Sequence, residues 1–226
     1  SINIRTTGLP ESVIFENIRN FFQEEDSVNV GYYPSVYGVD IRISGYDIKK
    51  LKKLKITINE HLKKYIYDNG YKNIENIVID NLNKENLTLS TAESCTGGLI
   101  GHRLTQVSGS SAVYAGGVIS YSNESKIDQL NVNPDNIKNF GAVSEEVAIE
   151  MAQNVKEKFN SSIGVSVTGI AGPDGGSEAK PVGLVYVGYC DEKLSFVQKF
   201  NFSFNREANK IRTSQAVLKL ILSKNN

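Results

Sequence analysis

The chain has 226 residues, 40% of them hydrophobic, with Lys plus Arg balanced against Asp plus Glu at 25 each. That length suits one large domain or two smaller ones, and zero net charge leaves no global attraction to a phosphate backbone or an anionic membrane. Two cysteines, Cys95 and Cys190, are too few for a disulfide framework or paired zinc ligands, and no run reaches the roughly 18 apolar residues of a membrane span, so a reducing cytoplasm is the expected compartment.

The opening SINIRTTGLPES enters a strand-like run at once, with neither a leader nor an initiator methionine, and reads as the start of a fragment of a longer protein. From Pro10, PESVIFENIRNFF places Val13, Ile14, Ile18 and Phe21 or Phe22 at helical spacing, with Glu11 and Ser12 suited to its first turn. VNVGYYP and VDIRIS alternate apolar and polar residues around SVYG, the pattern of a hairpin. DIKKLKKLKITINEHLKKYIYDNG returns to a helical period and is expected to stop at Gly70. Its basic cluster, KKLKKLK at 49–55, reads as a solvated helix face and not a nucleic-acid patch. Residues 1–75 thus form a small α+β domain, joined by IENIVIDNLNKENL to a second domain, the two divided as 1–75 and 76–226.

In the second part TLSTAES is a strand that yields to glycines and then to a helix carrying Leu99, Ile100, Leu104 and Val107. AVYAGGVISYS is a strand, SEEVAIEMAQNVKEKFN an amphipathic helix capped by Ser144, SIGVSVTGIAG a strand running into a glycine-rich loop, GLVYVGYC another strand and NREANKIRTSQAVLKLILS a final helix. Strands followed by helices predict an α/β sandwich, whose ligands sit beyond the carboxyl ends of its strands, where the glycines at 97–98 and 169–176 lie.

Ser94 follows a strand and precedes the glycines at a helix head, a position that suits a nucleophile facing backbone amides. His61 and His102 fall on polar helical positions, so a Ser-His-Asp triad is not expected. Lysine serves as base where burial lowers its pKa, and Lys126 in YSNESK leads because it follows the strand VISYS. Competing readings make Ser94 a helix cap, Lys126 a solvated lysine and GIAGPDGG a tight turn. Cys95 lacks a His or Asn partner and reads as a buried thiol.

TAESCTGG, GSSAVYAGGVISYSNESK, GAVSEEVAIEMA, SVTGIAGPDGG and KPVGLVYV, in this order, closely resemble the C-terminal domain of the CinA family, competence/damage-inducible proteins whose C-terminal domain is a nicotinamide-nucleotide amidase. The resemblance covers residues 76–226, and RTTGLPES with VNVGYYPSVYGVDIRIS looks like the KH-type domain that precedes it. It implies a three-layer α/β/α sandwich with a mixed sheet, preceded by a small α+β KH-type domain; a further domain that normally begins these proteins is not represented. It further implies Ser94 as nucleophile, Lys126 as general base, Tyr121 organising the pair, Ser111 and Thr168 lining the site, and Arg206 holding the nucleotide phosphate. The oxyanion falls to amides at Thr96, Gly97 and Gly98 or to those of the 169–172 loop, bounded by Gly169 and Gly172. No metal and no cofactor is expected, the substrate class is a pyridine nucleotide, and a homo-oligomer such as a dimer is expected.

Where the family often has Gly-Asp, this chain has Phe204-Asn205, which leaves Arg212 as a rival to Arg206. The first part has no GxxG loop, so it reads as a spacer or dimer contact, and RNA binding is not expected. The alternative to an amidase is a non-catalytic module that binds nucleotides or a protein partner.

Overall fold

Alternating apolar residues build an antiparallel sheet within Ser1–Ile77, and a mixed sheet with buried central strands lies within Val78–Asn226, the two units into which the chain divides. The computed structural model describes residues 1–22 and 27–224.

The first unit runs β1 (Ile2–Thr6), α1 (Glu11–Ile18), β2 (Val28–Ser35), β3 (Gly38–Gly45), α2 (Ile48–Leu62) and β4 (Ile66–Asp68), with strand order β2-β3-β1-β4 and every neighbour antiparallel. The β2–β3 hairpin is the one expected. Gly38 closes it with φ +149, and a Cβ there would lie 1.9 Å from the Thr6 carbonyl oxygen, so no larger residue fits. Asp47 caps α2, its carboxylate accepting from the amides of Lys49 and Lys50. Leu51, Leu54, Ile58 and Leu62 form the buried stripe of α2 and pack with Ile4, Ile14 and Ile41, while Lys49, Lys50, Lys52 and Lys53 face water. In α1 the inward residues are Ile14 and Ile18; Val13, expected to belong to this stripe, is exposed.

The expected helix to Gly70 ends instead at Leu62. Tyr65 donates its amide back to Leu62, and the next three residues leave as β4, pairing Ile66 with Thr6 and Asp68 with Arg5. A free edge on β1 and the β-favouring YIY triplet outweigh the helical period there.

Helix α3 (Ile74–Glu85) crosses the division between the units and leads to β5 (Leu89–Glu93). There follow α4 (Leu99–Thr105), β6 (Tyr114–Ile119), α5 (Asn123–Leu130), α6 (Pro134–Phe140), α7 (Glu145–Phe159), β7 (Ile163–Gly169), β8 (Leu184–Cys190), β9 (Ser195–Asn201) and α8 (Arg206–Lys224). Strand order is β6-β5-β7-β8-β9, with β5 parallel to β6 and β7 and the last two strands antiparallel. All five residues of β5 are buried, as a strand covered on both faces requires. On one face α7 buries Val147, Met151 and Val155 against Ala92, Leu130 and Val132. On the other, α4 packs on β5 and β6 and is tied to α8 by the Arg103 guanidinium, which donates to Ser214 Oγ and Gln215 Oε1 at 2.8 Å each. This is the expected three-layer order with a mixed sheet.

Ser144 caps α7 as expected, accepting from the Val147 amide at 3.3 Å. Val107 lies beyond α4. The sequence shows IENIVIDNLNKENL only as a joining segment, whereas it forms α3, and the sequence does not foretell α5, α6 or β9. Because β5, β6 and β7 are parallel, the segments after Glu93, Ile119 and Gly169 leave one edge of the sheet together.

Candidate active site

Ser94 is the first residue past β5, fixed by its amide, which donates to the Val167 carbonyl of β7 at 3.0 Å, and by its carbonyl, which accepts from Gly97 at 3.1 Å. Its side chain meets Lys126. The Lys126 ammonium or amine Nζ lies 3.0 Å from Ser94 Oγ, 2.9 Å from the Ser120 carbonyl and 3.4 Å from those of Tyr121 and Ser122. Lys126 follows the strand β6 and stands in the first turn of α5, whose N-cap Ser122 accepts from the Ser125 amide. The helix start aims its side chain back under the chain, leaving it 1% exposed.

Burial holds the Lys126 amine below the usual lysine range. Charge at Cys95 or Glu124 opposes that shift, but burial also pushes the Cys95 thiol up to about 12, so at neutral pH Cys95 is uncharged and only the exposed Glu124 counters it. The same shift makes Cys95 a poor nucleophile, in line with its reading as a buried thiol.

A cleft of about 270 Å³ opens above this pair, lined among others by Ser94, Tyr121, Lys126, Thr168 and Arg206. Gly169, the last residue of β7, and Gly172, in the loop that follows, border it. The Thr168 hydroxyl donates to the Ala142 carbonyl at 2.7 Å, drawing that segment in as a wall. Arg206, the first residue of α8, donates from Nη1 to the Gly172 carbonyl and from Nη2 to the Tyr121 hydroxyl, both at 2.7 Å, so its fork stands at the mouth. Tyr121 therefore touches Lys126 only through its carbonyl; its phenol braces Arg206.

The departure at Phe204-Asn205 leaves this arrangement intact. Asn205 Oδ1 accepts from the Ala208 amide at 2.9 Å, the bond an aspartate cap makes. The Phe204 ring takes the Arg212 guanidinium 4.0 Å from its centroid, away from the residues that line the cleft. Of the two rival arginines, only Arg206 reaches it.

Three expectations are corrected. The amides at the head of α4 are not open to an incoming anion, because Glu93, 2% exposed, accepts from Gly98 and Ile100 at 3.0 Å each and from Gly101 at 2.8 Å. With the Gly97 amide committed to Ser94, Gly97 and Gly98 shape the turn, at φ +62 and +93, and do not line the cleft. Thr96 is fully buried and likewise outside the lining, its hydroxyl without a partner among the described residues. Ser111 sits exposed on a short turn at 110–112 that does not border the cleft. Sequence reasoning missed Glu93, although an acid closing the strand LSTAE ahead of paired glycines is the signal of such an internal cap.

His61 and His102 are exposed, and neither is among the residues that line the cleft. Among the described residues no group of three or more His, Cys, Asp or Glu could hold a metal ion, and no helix is long and apolar enough to cross a membrane.

Comparison with known proteins supplies the lineage. Residues 71–224 match the family model of the CinA C-terminal domain, and residues 1–68 match that of the damage-inducible protein CinA KH domain. A CinA-like protein from Kosmotoga olearia is 41% identical over 223 residues, 96% of this chain and 54% of its own length. A putative competence-damage inducible protein from Clostridium botulinum is 38% identical over 210 residues, 90% of this chain and 51% of its own. The chain thus spans about half the length of the curated relatives it matches. The crystal structure of a competence/damage inducible protein from Agrobacterium tumefaciens superposes with a TM-score of 0.66 at 36% identity, covering 68% of this chain and 94% of that one. With both of its units matched in order, the chain belongs to the CinA family.

Proposed function

We propose that the second unit is an amidohydrolase that converts nicotinamide mononucleotide to nicotinic acid mononucleotide and ammonia. The observation that carries this reading is the 3.0 Å approach of a buried lysine nitrogen to the hydroxyl of a serine that lines a cleft. A neutral Lys126 amine donates two hydrogens, to the Ser120 carbonyl and to one of its two neighbours, and keeps a lone pair for the Ser94 hydroxyl.

As Ser94 Oγ attacks the carboxamide carbon, its proton passes to Lys126, and the ammonium so formed finds three carbonyl oxygens around it. Of the expected amides, those of Ala171 and Gly172 line the cleft and make no hydrogen bond among the described residues, and this reading assigns the oxyanion to them. Collapse breaks the C–N bond, and Lys126 returns the proton to departing ammonia. Water, deprotonated by the same amine, then hydrolyses the Ser94 ester, and Ser94 recovers its proton from Lys126. Arg206 at the mouth takes the phosphate.

The test is ammonia release from the mononucleotide by the wild type and by Ser94→Ala. This reading requires release that collapses in the variant while the mononucleotide still raises its melting temperature. A wild type that gains thermal stability from the mononucleotide but frees no ammonia would instead be a binding module.

A further inference from the structure

Asp174 is the one carboxylate among the residues lining the cleft, and among the described residues it makes no ion pair and no hydrogen bond. An acid lining the same cleft as the guanidinium that awaits a phosphate is an electrostatic cost, since it repels the ligand the arginine attracts. Its place in the chain gives it a use. The Ser94–Lys126 pair is buried at the floor, while Arg206 is held at the mouth through the Gly172 carbonyl. Asp174 follows Gly172 by two residues, a reach of at most about 7 Å, and shares with it the loop that forms one side of the cleft.

A mononucleotide with its carboxamide at the floor and its phosphate at Arg206 must carry its sugar past that loop. A carboxylate has two acceptor oxygens and no donor, the complement of two adjacent hydroxyls. We infer that Asp174 is a specificity-determining residue that accepts both hydroxyls of the substrate's ribose diol, so that the cleft selects ribosyl over deoxyribosyl nucleotides. This rests on reading the cleft as a nucleotide amidase. Positive φ at Gly172 and Gly175, +86 and +88, sets the bend that carries Asp174 between them.

The test is a two-by-two cycle on the full chain: wild type and Asp174→Ala, each with nicotinamide mononucleotide and its 2′-deoxy analogue, reading kcat/KM for ammonia release. Loss of the hydroxyl should cost the wild type about 10- to 100-fold and the variant about 2-fold or less, because the partner is already gone. Asp174→Asn, which keeps one acceptor, should fall between, and unchanged melting temperatures exclude a loop that has merely unfolded. Equal losses with both sugars would assign Asp174 to the cationic ring and overturn the inference, as would an Asp174→Ala variant with wild-type rates. If the wild type frees no ammonia, the same cycle read as Kd by calorimetry decides: coupling there sustains the diol contact while the amidase reading falls, and absence of coupling or of binding overturns the diol contact too.

Discussion

The glycine-bearing loops after β5 and β7 leave neighbouring parallel strands at the same edge of one sheet, yet they treat backbone polarity in opposite ways. After β5, Glu93 and the Ser94 carbonyl consume the amides of Gly97, Gly98, Ile100 and Gly101. After β7, the amides of Ala171 and Gly172 stay uncommitted among the described residues, and the Gly172 carbonyl holds Arg206. A helix N-terminus attracts anions only through amides that lack an acceptor, so a carboxylate from the chain itself converts the first loop from a binding site into a rigid mount for Ser94. The second loop keeps its polarity for a ligand.

The comparison breaks most completely at the mounted residue. Ser94→Ala should lower ammonia release by at least about 10³-fold with the cleft and the melting temperature unchanged, measured by coupled ammonia assay and thermal unfolding. Next comes Arg206→Ala, which removes the cation that the second loop holds. It should raise KM for the mononucleotide about 10- to 100-fold with a smaller change in kcat, and leave KM for the unphosphorylated riboside as it was. Arg212→Ala is its control and should leave both constants within about 2-fold, because its guanidinium stacks on Phe204.

Breaking the mount itself is expected to cost stability. Glu93→Gln puts an NH₂ group where a carboxylate oxygen accepts, leaving at least one buried amide facing a donor. A loss of about 2–4 kcal/mol in denaturant unfolding follows, with the far loop unaffected in hydrogen exchange. If that substitution proves neutral, the first loop does not depend on its internal anion.

Lys126 links the two loops to pH. Its folded pKa lies below the value of 10.5 in the unfolded chain, so between the two the unfolded state binds more protons and stability rises with pH. Below the folded pKa the full cost of burying an ammonium persists. Lys126→Met removes this one dependence, so the stability difference between wild type and variant should move in the wild type's favour as pH rises through that window, and should be flat beneath it. A difference independent of pH up to 10.5 would show that the amine keeps its ordinary pKa.

Much of this arrangement was legible in the sequence because its determinants are local. The alternation in VNVGYYP and VDIRIS, the Ser144 cap and the buried run in SIGVSVTG each fix an element within a few residues. The pair Ser94 and Lys126 was named from strand ends and motif resemblance, 32 positions apart, and the parallel pairing of β5 with β6 brings the two strand ends together. What escaped depends on partners distant in sequence. YIYD is a strand only because β1 offers an edge, and SFVQKFN only because β8 does. Arg206 and not Arg212 borders the cleft, the Arg212 guanidinium lying over the Phe204 ring. Glu93 as internal cap was visible in type and position, but an acid at the end of a strand does not announce which amides will reach it.

The central claim is that a buried, uncharged Lys126 amine takes the proton of Ser94. The most direct measurement is the pH dependence of kcat/KM for ammonia release from nicotinamide mononucleotide, in the wild type and in Lys126→Met. The account predicts an ascending limb with its midpoint below 10.5 in the wild type and, in the variant, a rate reduced about 10²- to 10⁴-fold with that limb gone. A variant that keeps both the rate and the limb would contradict it.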